Sequence, residues 1–419
     1  MAISRILKFL LIFVFLIEGN VFAGLLALKC KLAITCSGPD IPNAVILIKD
    51  GVIDQVGPSS RVKIPWNADV IDASDKVVMP GYILAHTSEG LDRENEFIPD
   101  TPFLNTYDAI DPFRRFFKHA LRSGITTILV MPGNNTRFGG MGTIVKPVGK
   151  TVDEMLIRTP YGLKISLRPA GGFTRMGHMQ RIRQKLDSVR RYLKEYEQRK
   201  KEAQQAGKPF KEEIPFEIKP LVDLLQGRLL AFVYCPLASD VVRALQLIKH
   251  YKFRAVLVLG PRTYRAAPLI KKAKVPVILP PNVVFLEEDE FTGKKTRRIL
   301  PLVFRKAGVR FAFQIDSTSY KARFPWQVAA EAVKFGLSRR DAFAAFTTVP
   351  AQIIGMAGEI GQIRKGYKAN LQLLTGDPLD PRTWVDKVLI DGEVVYDRSK
   401  DEYLKELLGK KERMEKEKK

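Results

Sequence analysis

Eight short apolar runs, most of them separated by helical patterns, constrain this 419-residue sequence more than any other feature. They are Tyr82–Ala85, Thr126–Met131, Thr143–Lys146, Leu163–Leu167, Ala231–Tyr234, Ala255–Leu259, Val275–Leu279 and Arg310–Ile315. Continuous rather than alternating hydrophobicity marks a strand buried on both faces, as in a parallel sheet covered by helices. Helical patterns fall between most of the runs: Pro112–Ser123 with Gly124 as its stop, the amphipathic Ser239–Lys249 and Pro325–Phe335, and Arg339–Phe346. Eight strands with helical crossovers predict an α/β fold, a closed (β/α)8 TIM barrel, with a doubly wound open sheet as the alternative.

The flanks read differently. Ala44–Lys49, the turn signal Asp50-Gly51 and Val52–Val56 form a hairpin pattern, and Val70–Ala73 adds a further strand. At the other end Asn370–Leu374, Lys387–Ile390 and Glu393–Tyr396 are strands, the last two joined by Asp391-Gly392. Two all-β segments at opposite ends predict one small β-sandwich built from both termini. The expected organisation is a composite sandwich of residues 24–75 plus 360–400, a barrel over 76–359, and a charged tail over 401–419. The charged stretch Lys185–Ala206 reads as a solvated helix on the barrel exterior.

Residues 1–23 predict a secretory signal peptide. Arg5 and Lys8 precede the apolar run Phe9–Ile17, and Val21-Phe22-Ala23 supplies small residues for cleavage. That run is far shorter than the roughly 20 residues of a membrane span. The expectation is therefore an exported protein, periplasmic or extracellular, that is not transmembrane. The formal charge of +23 favours an anionic surface partner. Lys and Arg are scattered, with no aromatic-interleaved stripe, which argues against nucleic acid. Export permits disulfides, but Cys30 and Cys36 read as one strand, which would hold their Cα atoms roughly 20 Å apart. Three buried thiols, Cys30, Cys36 and Cys235, are expected.

A barrel of this kind carries its active site at the C-terminal ends of its strands. The first run continues as Pro80-Gly81-Tyr82-Ile83-Leu84-Ala85-His86-Thr87-Ser88. This stretch resembles the amidohydrolase superfamily, in particular its imidazolonepropionase-like members, which carry Pro-Gly-hydrophobic-hydrophobic-Asp-Ala-His-x-His here. Thr106–Pro112, Gly124–Pro132, Gly139–Val148, Gly361–Leu374 and Lys387–Tyr396 resemble further segments of the same family, with Asn370 in place of its usual Asp. The resemblance implies a barrel with a sandwich and a metal centre that hydrolyses non-peptide carbon–nitrogen bonds.

The same resemblance implies that most of that centre is missing. His86 remains as a metal ligand, but Ser88 replaces the second histidine and Leu84 the acidic residue. Tyr234-Cys235-Pro236 and Leu259 stand where relatives place two more histidines. Asp316 matches the aspartate that binds metal and serves as catalytic base, and Lys146 or Lys164 matches the bridging lysine. Ser88, Lys146, Tyr234 and Cys235 are the expected substrate-pocket residues. His119, His178 and His250 read as surface or helix-end residues, not ligands. The glycines Gly139-Gly140-Met141-Gly142 and the acidic loop Glu89, Asp92, Glu94, Glu96 are weaker candidates for an anion cradle and a cation site. A zinc site needs three or four protein ligands. No cofactor is therefore expected, with zinc only if an altered centre works. Two functions follow: a non-catalytic barrel that binds a small-molecule ligand, or a hydrolase acting on a cyclic amide through an altered metal centre.

Overall fold

A computed structural model describes residues 24–169, 172–315 and 324–417. Residues 1–23, where the signal peptide is expected, and Asp316 lie outside them.

Both ends of the chain meet in one sheet. Its N-terminal strands are β1 (Leu25–Ala33), β2 (Ile41–Lys49), β3 (Val52–Pro58) and β4 (Asp69–Pro80). Its C-terminal strands are β15 (Leu371–Leu374), β16 (Val385–Ile390) and β17 (Glu393–Asp397). The order is β17-β16-β15-β4-β1-β2-β3. Both predicted turns form: Asp50-Gly51 and Asp391-Gly392 take left-handed φ angles of 52° and 76°, and 50° and 80°. Such angles suit the tight turn of a two-residue hairpin. Asn370 accepts a hydrogen bond from the Asp391 N–H at 2.8 Å, which ties the second hairpin to β15. β4 is longer than the sequence pattern suggests, so the sandwich ends at Pro80 and the barrel starts at Tyr82.

The barrel strands are β5 (Tyr82–Thr87), β6 (Ile125–Val130), β7 (Phe138–Val145), β8 (Leu156–Ser166), β9 (Ala231–Leu237), β10 (Ala255–Arg262), β11 (Val277–Leu279) and β14 (Phe311–Phe313). They form one eight-stranded sheet in the order β14-β11-β10-β9-β8-β7-β6-β5. Residues 345–346 span the seam between its ends: Ala345 C=O accepts from Phe313 N–H, and Ile83 N–H donates to Phe346 C=O. The Phe346 ring sits 5.7 Å from Tyr82 and 5.4 Å from Phe313, sealing the seam with apolar contact. Ile83, Leu129, Phe232, Val258, Ile278 and Ala312 are fully buried members of one apolar cluster drawn from six barrel strands. This is the predicted (β/α)8 barrel with a β-sandwich.

One strand departs from the expected all-parallel pattern. β7 runs antiparallel to both β6 and β8. The connections explain it: residues 131–137 precede β7, and only the short helix Val152–Met155 separates it from β8. Neither can make a crossover, which takes a dozen or more residues. The segment after β5 drapes over β7 instead, with bridges Asp100↔Phe138 and Asn105↔Met141. The Gly139–Gly142 run therefore lies in a strand, with the Met141 N–H already bonded to Leu104 C=O, and is not an anion cradle.

Other expectations need adjustment. The charged helix starts earlier, at Arg175, and runs 31 residues to Gln205. Its buried residues lie between His178 and Val189, so the first half is barrel wall and the rest is solvated. His178 is buried, not superficial. Cys36 lies beyond β1 and is half-buried, and the three cysteines are free thiols.

The tail is anchored where it begins. Arg122 donates to both carboxylate oxygens of Asp401, at 2.6 and 2.8 Å, just before the helix Glu402–Glu417. The Arg122 hydrogen bonds hold the Asp401 carboxyl down at about 2. Its folded value lies below the ordinary one, so the pair stabilises the fold above the ordinary carboxylate range. That contribution fades as pH falls from about 4 towards about 2. Asp401→Asn is expected to cost about 1–3 kcal/mol at pH 7 and only a small part of that near pH 2, measured by urea unfolding at both.

Candidate functional site

The end of β5 is irregular. From Leu84 to Thr87 the strand advances three residues while its partner β6 advances two, from Ile128 to Val130. This bulge breaks the in–out alternation and re-aims a side chain, a device common at barrel rims. His86 sits at the break, buried at 3% exposure. Lys164, the one charged residue in the otherwise apolar run Leu163–Leu167, lies on β8 in register with Phe232 of β9. It is fully buried. Gly139 of β7 packs beside its stem, where a Cβ would stand in ordinary contact, 3.4 Å from Lys164 Cγ.

The two side chains meet directly, with Lys164 Nζ 2.5 Å from His86 Nε2. An ammonium there donates to Nε2, whereas a neutral amine can donate to it or accept from an Nε2–H, so the donor role follows the ring tautomer. Nδ1 is buried and has no hydrogen-bond partner. Gln314 stands beside the ring and favours its charged form, without closing a bond to that nitrogen. Phe232 packs 6.5 Å from the imidazole, and the Tyr234 ring faces Lys164 Nζ at 5.7 Å.

Burial sets the electrostatics. It pushes His86 well below the ordinary histidine range, and the neighbouring Lys164 pushes the same way. It also lowers Lys164 to about 7, with the Cys235 thiol opposing. The Cys235 thiol is itself raised well above its usual value by burial and by Asp240. Taking charge out of water is costly, so the neutral forms gain in each case.

The expected pocket residues separate. Tyr234 and Cys235 lie at the end of β9 beside Lys164, and Ser88 directly follows β5. Lys146 does not join them. Because β7 is reversed, Val145 pairs with Ile128 and Leu156, near the opposite end of the barrel, while Phe138 pairs with Ile165. Between the two lysines, only Lys164 meets His86. His178 was missed as a supporting residue: its Nε2 lies 2.8 Å from Ser166 C=O, two residues beyond Lys164. Nothing local in the sequence marks that contact.

Comparison with known proteins bears on the fold and the family. A family model described as Amidohydrolase family matches residues 305–396. The crystal structure of an amidohydrolase from Thermotoga maritima superposes with a TM-score of 0.80 at 25% identity, covering 89% of this chain and 100% of that one. The chain belongs to the amidohydrolase superfamily. The amidohydrolase tasK of Hapsidospora irregularis is 22% identical over 399 residues, which are 84% of this chain and 40% of that protein. A 5-methylthioadenosine/S-adenosylhomocysteine deaminase of Moorella thermoacetica is 36% identical over 80 residues, 19% of each chain. This chain thus spans well under two thirds of the length of the curated amidohydrolase relatives it matches.

Amidohydrolases usually bind a divalent metal. The described residues do not fit one: they contain no group of three or more His, Cys, Asp or Glu side chains able to hold an ion. The His86 nitrogen bonded to Lys164 already has a partner, and the neighbouring strand ends offer Ser88, Tyr234 and a raised, protonated Cys235 thiol.

Lys164→Met tests this reading of the pair. Between about pH 7 and the ordinary lysine value of 10.5, the unfolded chain holds a proton that folded Lys164 has lost. Wild-type stability should therefore rise with pH across that window. The variant should unfold no more easily at pH 7, because methionine fills the space without a buried amine, and its stability should rise less with pH. Urea unfolding at pH 7, 8.5 and 10 measures both.

Proposed function

We propose that this chain is an exported amidohydrolase-fold protein that binds a small molecule and no longer performs metal-assisted hydrolysis. One observation carries the reading: Lys164 Nζ lies on His86 Nε2 at 2.5 Å, both side chains buried. In metal-dependent hydrolysis an ion polarises the carbonyl and lowers the pKa of a bound water. Here a lysine amine contacts the histidine that the family resemblance casts as a ligand. Such an amine can donate hydrogen bonds to a carbonyl or carboxylate oxygen, but it has no coordination position in which to hold a water. Asp316, the expected base, is proposed as a polar residue of the same pocket. Hydrolysis of a cyclic amide through an altered centre is the competing reading.

Elemental analysis and thermal melting of the purified, tag-free protein decide between them. The proposal expects substoichiometric zinc and an unchanged melting temperature after chelation. A metal bound at a hundred times its dissociation constant would add about 2.7 kcal/mol to stability. One equivalent of zinc, with a drop of several degrees on chelation that zinc reverses, would overturn it. So would turnover of carbon–nitrogen substrates that disappears in both His86→Ala and Asp316→Asn.

A further inference from the structure

Away from the His86–Lys164 pair, arginines from two helices converge on a cleft of about 540 Å³. Arg175 and Arg183 come from the helix Arg175–Gln205, and Arg243 from the helix Ala238–Tyr251. A buried carboxylate organises them. Asp240 is fully shielded from solvent, accepts the Leu237 N–H at 3.1 Å, is bonded by Arg175 and lies 3.7 Å from Arg243. One negative charge is thus shared by two guanidinium groups. Arg243 Nη1 is the buried atom that faces Asp240, beyond hydrogen-bond distance. Arg183 is exposed and forms no ion pair among the described residues. The cleft therefore carries more positive than negative charge.

The backbone adds to the same field. The cleft includes Met176 and Gly177 in the first turn of the helix, where N–H groups lack intrahelical partners. Thr174 Oγ1 caps Gly177 N–H, and Thr174 C=O takes His178 N–H, which leaves the Met176 N–H outside those bonds. Guanidinium forks beside a helix N-terminus match the oxygens of a tetrahedral dianion. The volume exceeds that of a bare ion.

We infer that the Arg175–Arg183–Arg243 cleft is a binding site for the phosphate group of a small organic phosphate monoester. The helix that carries the cleft abuts the barrel, because its His178 bonds the backbone of Ser166 on β8. Two arginines are fixed by Asp240, and Arg183 closes on the ester from the exposed side.

The test uses the full-length protein at constant ionic strength, with inorganic phosphate and glycerol phosphate as probes. Isothermal titration should show saturable binding of both, and sodium chloride at equal ionic strength should give none. Arg183→Met should weaken binding at least tenfold without affecting folding, since its side chain holds no protein partner. Arg181→Met, an exposed neighbour outside the cleft, removes the same charge and should leave affinity within twofold. Equal losses in the two variants would show only a diffuse basic surface and overturn the site. Binding to phosphatidic acid vesicles without binding of either soluble probe would also overturn it, in favour of a membrane surface.

Discussion

The site depends on the contact between Lys164 and His86. A lysine with no access to water would ordinarily cost several kcal/mol as an ammonium ion. The barrel meets that cost in two ways. Burial favours the neutral amine, and the imidazole gives it a hydrogen-bond partner. The histidine in turn stays neutral, because burial disfavours its charged form and a charge on the neighbouring lysine would do the same. Each group thus favours the neutral state of the other. In relatives the resemblance implies an ion at this end of the barrel. Here a covalently attached amine contacts the retained histidine.

Strand geometry makes the contact possible. The bulge in β5 turns His86, and the register of β8 against β9 puts Lys164 level with Phe232. Gly139 on the reversed β7 packs beside the lysine stem. The reversal also sends Lys146 towards the other end of the barrel. A single topological change thus separates two lysines that lie eighteen positions apart in the sequence. Ser166, two residues beyond Lys164, hands the arrangement on to His178 and to the helix that carries the arginine cleft.

Much of this was legible from residue order. The eight apolar runs correspond to the eight barrel strands, and both Asp-Gly turns form, because burial on two faces and left-handed turn angles leave local signatures. The His86-Thr87-Ser88 stretch correctly marked the mouth end of β5. Direction was not legible: Thr143–Lys146 looks like its neighbours, and only the short connections around it force it to run backwards. The choice between Lys146 and Lys164 failed for the same reason. The burial of His178 was hidden too, since it arises from a contact to the backbone of another element rather than from its own surroundings in sequence.

The central claim is that His86 Nε2 is held by Lys164 and is closed to metal. With four histidines in the chain, the imidazole nitrogens of His86 can be resolved by 15N NMR of histidine-labelled protein. The account predicts a neutral ring at pH 8, an Nε2 resonance that moves in Lys164→Met, and no change when zinc is added to the wild type. An Nε2 resonance that shifts to a metal-bound position on adding one equivalent of zinc to the wild-type protein would contradict it.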